Sequence, residues 1–219
     1  MLVAGAGVAG LETALALRHL ASDRVQVDVL APQAELCYWP LLVTEPFGAG
    51  GEAIDLEPLF AHYAIRFRRG TLASVDATTR TVRLGGGEEA AFDALVVACG
   101  AAHAEAVPGA LTFPGLGAVD DLRALLDDIA HDRVKRVAFA LPSGAGWPLP
   151  IYELALLTAA EVERHGAGTR IMLVTPESDP LGLFGRAASA AVRDLLRQRG
   201  IELVAQTYPV AVEPGGLGV

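Results

Sequence analysis

Three glycines stand in the order Gly5-x-Gly7-x-x-Gly10, after a short apolar run and before an amphipathic one. That spacing suits a diphosphate. A first glycine permits a tight turn, a second leaves no side chain between the backbone and the phosphates, and a third lets a helix pack close to a strand. The helix that follows turns free N–H groups and the positive end of its dipole toward the anion. The plain alternative is a glycine-rich turn that holds nothing, and only a strand before it and a helix after it separate the two. A carboxylate for the ribose hydroxyls is expected where the next strand ends. That place reads Leu30-Ala31-Pro32-Gln33, so Gln33 or Glu35 is left to do the work, and no arginine directly replaces the acid.

Other reactive residue types are sparse. Cys37 and Cys99 form no CxxC pair, a pattern of a reducing compartment without a disulfide framework. Cys99 sits in an apolar run and is expected to be a small buried core residue. Cys37 lies in an irregular loop, where either a structural or a reactive role is open. His19, His62, His103, His131 and His165 show no metal-ligand spacing and read as surface residues. Glu12 and Glu153 come early in helical patterns, where they would offset the helix dipole. Trp39 and Trp147 would either stack on a ring or cap a core.

The elements that must position these residues alternate between strand and helix. Leu2-Val3-Ala4 reads as a buried strand, Leu11–Leu20 as a helix, and Arg24–Leu30 as an alternating strand. Residues 31–62 are irregular, with a short helix near Leu56–His62. Ile65–Arg68, Thr71–Asp76, Thr81–Leu84 and Ala91–Ala98 are expected to form a β-meander, turned at Gly85-Gly-Gly87, with Ala94–Ala98 buried on both faces. Residues 100–118 suit a linker. A second unit then repeats the order: a helix over Asp120–Asp132, strands at Val134–Leu141, Arg170–Val174 and Ile201–Val204, and helices at Pro148–Arg164 and Ala187–Arg199. Such alternation predicts an α/β fold with parallel sheets.

Bulk composition narrows the function. A hydrophobic content of 52% is ample for a buried core and excludes disorder. The net charge of −9 argues against nucleic acid, and Arg66, Arg68 and Arg69 read as a solvated strand edge, not a basic stripe. No apolar run reaches the roughly 20 residues that cross a bilayer.

The stretch Gly5-Ala-Gly-Val-Ala-Gly-Leu-Glu12 resembles the FAD-binding opening of the pyridine nucleotide-disulfide oxidoreductase superfamily. Cys37-Tyr-Trp-Pro-Leu-Leu42, followed by Gly48, resembles a segment of its type II NADH dehydrogenase and sulfide:quinone oxidoreductase branch. Phe92-Asp-Ala-Leu-Val-Val-Ala-Cys-Gly100, Trp147–Ala155 and Val174–Gly185 resemble later segments, in the right order along the whole chain. The resemblance implies an FAD/NAD(P)-binding Rossmann-like, three-layer α/β fold with a β-meander and two nucleotide-binding-type units. Residues 1–115 would form the FAD-binding domain and 116–219 an NAD(P)-binding-type domain that is incomplete. Gly5, Gly7, Val8, Ala9 and Gly10 would hold the FAD pyrophosphate. Ala31 and Gln33 would lie by the ribose, and Leu72 would offer backbone groups to the adenine. Ala98, Cys99 and Gly100 would pass beside the ADP part, and Tyr38, Trp39 and Pro40 would lie near the flavin ring.

The implied activity is electron transfer from NAD(P)H or a similar small-molecule donor to a quinone or another acceptor, with FAD as cofactor. NAD(P)H is implied for the second unit, whose turn departs from the pattern. The turn Pro142-Ser-Gly-Ala-Gly-Trp147 puts Leu149 where a third glycine is expected, and it carries no cysteine for a persulfide. Cys37 stands alone, which argues against disulfide reduction. The resemblance also implies an N-terminal piece of a longer cytoplasmic protein, peripheral at a membrane only through parts outside this chain. The other readings are a nucleotide-binding or interaction module without redox turnover, and an NAD-dependent dehydrogenase, which fits the first motif but not the meander.

Overall fold

A computed structural model describes residues 1–49, 53–101, 104–113 and 118–219, with Trp39 described by its backbone alone. His103 and Pro114-Gly115 lie outside the described residues. The chain divides into two compact units, Met1–Tyr38 with Glu52–Ala102 and Trp39–Gly51 with His103–Val219.

The first unit opens with β1 (Leu2–Ala4), α1 (Val8–Ala21) and β2 (Asp28–Ala31). The next elements are a short strand β3 (Glu35–Leu36), then the brief helix α2 (Trp39–Leu42), which belongs to the second unit. They are followed by β4 (Ile54–Asp55), which pairs with β3, by α3 (Glu57–His62) and by β5 (Arg66–Arg69). A meander β6 (Leu72–Asp76), β7 (Thr81–Leu84) and β8 (Glu89–Ala91) leads to β9 (Leu95–Val97). The main sheet is parallel, in the order β5-β2-β1-β9.

Both faces of its centre are covered. Val3, Val29 and Ala31 pack with Ala14 of α1 and Phe60 of α3 on one side. Leu2 and Leu30 pack with Val82, Leu84 and Ala90 of the meander on the other. This three-layer burial explains why β2 does not alternate: all four of its residues are buried. The strand is also shorter than Arg24–Leu30, because Ser22–Arg24 closes a 3₁₀ turn. Two further expectations are corrected. Ile65–Arg68 is not a meander strand but joins the parallel sheet as β5. Ala91–Ala98 splits at Phe92–Ala94 into β8 and β9. As an edge strand β9 is not buried on both faces, and Val97 is 61% exposed.

The arginine cluster is also more than a solvated edge. Asp28 is 8% exposed. Arg66 donates to both of its oxygens at 3.0 Å, and Arg68 Nε donates to Oδ2 at 2.8 Å. Arg66 lies directly across from Asp28 in the β2–β5 ladder, where opposite charges attract.

The second unit holds α4 (Ala118–Ala130), β10 (Arg136–Ala140), α5 (Leu149–His165), β11 (Arg170–Val174), α6 (Arg186–Gln198) and β12 (Ile201–Val204). Its parallel sheet runs β10-β11-β12. One face, through Val137, Phe139, Ile171 and Leu173, joins Leu122, Leu154 and Leu196 of the three helices in a single core. A hairpin of β13 (Ala211–Glu213) and β14 (Gly216–Gly218) follows. Sequence reading missed it, although Pro214-Gly215 was a turn signal, because its strands are only three residues long.

Burial works to raise the Asp28 pKa, but the hydrogen bonds and charges of Arg66 and Arg68 outweigh it and hold the carboxyl below its ordinary value. A lowered folded pKa stabilises the fold above the unfolded value of about 3.9, and that stability is lost as pH falls through the folded value. Asp28→Ala is therefore expected to cost about 1–3 kcal/mol at pH 7. The gap between wild type and variant should close as pH drops well below 4, as read from urea unfolding at both pH values.

Candidate functional site

The glycine turn sits at the carboxyl end of β1, where the strand order reverses. From β1 the chain crosses to β2 and β5 on one side, then places β9 on the other. Open α/β sheets bind ligands in the crevice at such a switch point.

The three glycines have different physical reasons. Gly5 has φ +121°, and a Cβ there would lie 2.1 Å from the Ala98 carbonyl oxygen. A Cβ on Gly10 would lie 2.0 Å from the Gly5 carbonyl oxygen. Only a bare backbone lets α1 start this close to β1 and β9. At Gly7, by contrast, an added Cβ meets nothing within 4 Å. Packing therefore does not demand glycine at position 7, and the space beside it is open.

Gly7 is also the N-cap of α1, and no side chain caps the helix. Gly7, Val8 and Ala9 are exposed. The N–H groups of a first turn have no partner within the helix. Here they face open space at the positive end of the dipole, and that arrangement fits a diphosphate.

The structure sets Ala98 and Cys99 against this turn and places the other candidates of the first unit as follows. The Ala98 N–H donates to the Ala4 carbonyl at 2.7 Å, and Cys99 Sγ lies 3.4 Å from the same oxygen. Cys99 is exposed, not a buried core residue, because it follows β9 instead of lying within it. Gly100 has φ +71° and open space at its Cβ position. Ala31 ends β2, and its carbonyl accepts the Gly70 N–H at 3.0 Å. Gln33 is exposed just beyond, and Glu35 is exposed on β3. Leu72 opens β6 and packs with Leu2 and Leu30. Tyr38 is exposed, and Cys37 is half-buried. Trp39 and exposed Pro40 form the start of α2, which belongs to the second unit.

Sequence reading missed one neighbour. Arg69 ends β5, and its Nη1 donates to the Pro32 carbonyl at 3.3 Å, beside the place where the ribose acid is lacking. Only the parallel pairing of β5 with β2 brings it there.

In the second unit the corresponding junction differs. Eight residues, 141–148, separate β10 from α5, whereas three separate β1 from α1. Leu149 is the first helical residue and packs against the core. Trp147 is exposed and meets Phe184 edge to face at 5.6 Å. Past β11, the buried Tyr152 hydroxyl donates to Glu177 Oε2 at 2.5 Å, and Thr175 Oγ1 donates to the same oxygen at 3.0 Å. Burial, and then the carboxylate it faces, pushes the Tyr152 phenol far above its ordinary pKa. Glu12 and Glu153 both fall beyond the first helical turn, so dipole compensation does not account for them.

A recess of about 850 Å³ in the second unit is lined by residues of β10 and β11, of the starts of α4 and α5, and by Val107, Leu111 and Val212. Every residue of β10 borders it, and β10 is an edge strand. The lining of the recess is largely apolar, unlike the donor-rich turn at Gly7. Among the described residues no His, Cys, Asp and Glu group could hold a metal ion. No described helix is long and apolar enough to cross a membrane.

The sequence model for the family described as pyridine nucleotide-disulphide oxidoreductase matches residues 1–217. The chain belongs to the pyridine nucleotide-disulphide oxidoreductase family. Within its range of relatives, the sulfide-quinone reductase of Aquifex aeolicus (strain VF5) is 26% identical over 98% of this chain and 52% of its own length. A solved sulfide:quinone oxidoreductase from Aquifex aeolicus superposes with a TM-score of 0.87 at 24% identity, covering 99% of this chain and 53% of the other. NDH2 from Plasmodium falciparum superposes with a TM-score of 0.79 at 14% identity, covering 99% and 49%. These two likenesses establish the fold. The chain spans about half the length of the relatives it matches.

The glycines make separable predictions. Gly7→Ala should keep the fold within about 1 kcal/mol, the usual scale of an N-cap change, yet weaken dinucleotide binding by placing a methyl in the open space. Gly10→Ala should destabilise by about 1–3 kcal/mol or more through overpacking. Thermal unfolding with and without ligand separates the two. Equal loss of stability in both variants would contradict this division.

Proposed function

We propose that this chain is the cofactor-binding part of an FAD-dependent oxidoreductase that passes electrons from a small-molecule donor to a quinone or another acceptor. One observation carries the reading: the uncapped start of α1, open at Gly7 and packed tightly at Gly5 and Gly10. The N–H groups of Val8, Ala9 and Gly10 donate to the pyrophosphate. Ala31 and Gln33 lie along the adenosine ribose, and Arg69 adds a cation on that side. Leu72 offers its backbone to the adenine. Ala98, Cys99 and Gly100 follow the ADP moiety along β9. Trp39 and Pro40 are assigned to the flavin-ring end on resemblance alone. When bound, FAD supplies the redox chemistry, and the protein supplies its orientation and electrostatic surroundings.

Membership of the family and the likeness to a sulfide-quinone reductase support a quinone as acceptor. A peripheral position at the cytoplasmic face of a membrane fits that acceptor, with attachment through parts outside this chain. A second reading, a nucleotide-binding module without turnover, is favoured by the proline-bearing start of α5.

Purified full-length protein is expected to show the visible absorption of bound flavin and to reduce a soluble quinone when given its donor. A colourless protein that takes up no added FAD would sink the leading reading. Bound flavin without any turnover would favour the second.

A further inference from the structure

The family's description implies a pyridine nucleotide, and the second unit has the topology to take one. β10, a glycine-containing turn, α5 and β11 follow in order, with Glu177 just beyond β11 where a ribose-binding acid belongs. The residues at that junction do not fit the ligand.

A helix accepts a diphosphate through the free N–H groups of its first turn. In α5 those four positions are Pro148, Leu149, Pro150 and Ile151. Proline has no N–H. The Ile151 N–H already donates to the Pro148 carbonyl at 3.2 Å. Leu149 alone is left with an N–H to offer. The same positions of α1 are Gly7, Val8, Ala9 and Gly10, and none of them is proline. The start of α5 is moreover held by apolar packing, with Pro148 buried and Leu149 against the core.

The acid is engaged as well. Glu177 Oε2 accepts from both Tyr152 and Thr175, whose side chains are fully buried. The Glu177 backbone is pinned by its own N–H donating to Thr175 Oγ1 at 3.2 Å and by its carbonyl accepting the Gln206 N–H at 3.0 Å. A ribose would find one of the two carboxylate oxygens already doubly bonded to hydroxyls that cannot swing away.

We infer that the second unit does not bind NAD(P)H: prolines at 148 and 150 leave one phosphate donor in the first turn of α5, and Tyr152 with Thr175 occupies one oxygen of the ribose acid. Together with the flavoprotein reading, on which this consequence rests, the electron donor is then a molecule other than a pyridine nucleotide held by this unit.

The test is titration of the full-length protein with NADH and with NADPH, followed by calorimetry and by anaerobic flavin absorbance. No saturable binding is expected up to about 1 mM, and the flavin should stay oxidised with either nucleotide while dithionite reduces it. A dissociation constant in the micromolar range, or bleaching of the flavin by NADH, overturns the inference. Protein that carries no flavin would defeat the flavoprotein reading instead, and calorimetry would still decide nucleotide binding. The double variant P148A/P150A restores two N–H groups and is expected to bind NADH at least tenfold more tightly than wild type. No gain in a folded variant overturns the role given to the prolines.

Discussion

The first unit depends on one close approach. The start of α1 crosses the end of β1 and the exit of β9 so tightly that neither Gly5 nor Gly10 can carry a Cβ. Everything useful at the site follows from that contact. Because α1 begins only three residues after β1, its uncapped N–H groups point out at the switch point instead of into a loop. Because Gly5 turns at φ +121°, the chain leaves the strand without bulging into the crevice. Gly7 then has no packing duty, and its bareness matters only to something outside the protein. Two glycines that fold the chain flank one that keeps a space clear, and this is how a turn of six residues can serve both stability and binding.

The two units show how much of such a site is topology and how much is chemistry. Both run strand, turn, helix, strand, with parallel pairing. Topology alone would credit both with a dinucleotide. What differs is the supply of hydrogen-bond donors. Fold recognition senses the shared order of elements, while a phosphate senses only the N–H groups that reach it. The second unit also spends its apolar residues differently. Trp147, Pro148 and Leu149 place bulky side chains and a proline at the start of α5, where α1 starts with Gly7, Val8 and Ala9.

Local features were legible in the sequence, and pairings were not. The glycine turn, the first helix and the strands at Arg170–Val174 and Ile201–Val204 each follow from residues adjacent in the chain. The prolines in the first turn of α5 were legible for the same reason. Long-range partners were opaque. Nothing near Ile65–Arg68 says that it pairs with β2 instead of with the meander, since an edge strand of either sheet tolerates arginines. The exposure of Cys99 failed likewise. An apolar run predicts burial only if something lies on both sides, and β9 has a strand partner on one side only among the described residues.

The Asp28 cluster connects these scales. It lies at the amino end of β2, whereas ligand chemistry in parallel sheets belongs to the carboxyl end. Its work is therefore register. β2 is apolar apart from Asp28, and a slip of β5 by one residue would turn Arg66 and Arg68 to the opposite face. Such a slip would put Ile65 or Phe67 opposite Asp28 and remove the arginine that binds both of its oxygens, a costly loss for a buried carboxylate. With the register fixed, Leu30 faces Arg68, Ala31 faces Arg69, and the Gly70 N–H reaches the Ala31 carbonyl. At about 3.3 Å per residue, that carries the constraint roughly 10 Å along the strand. An ion cluster that touches no ligand thereby sets which residues of β5 arrive beside the end of β2, and Arg69 is one of them.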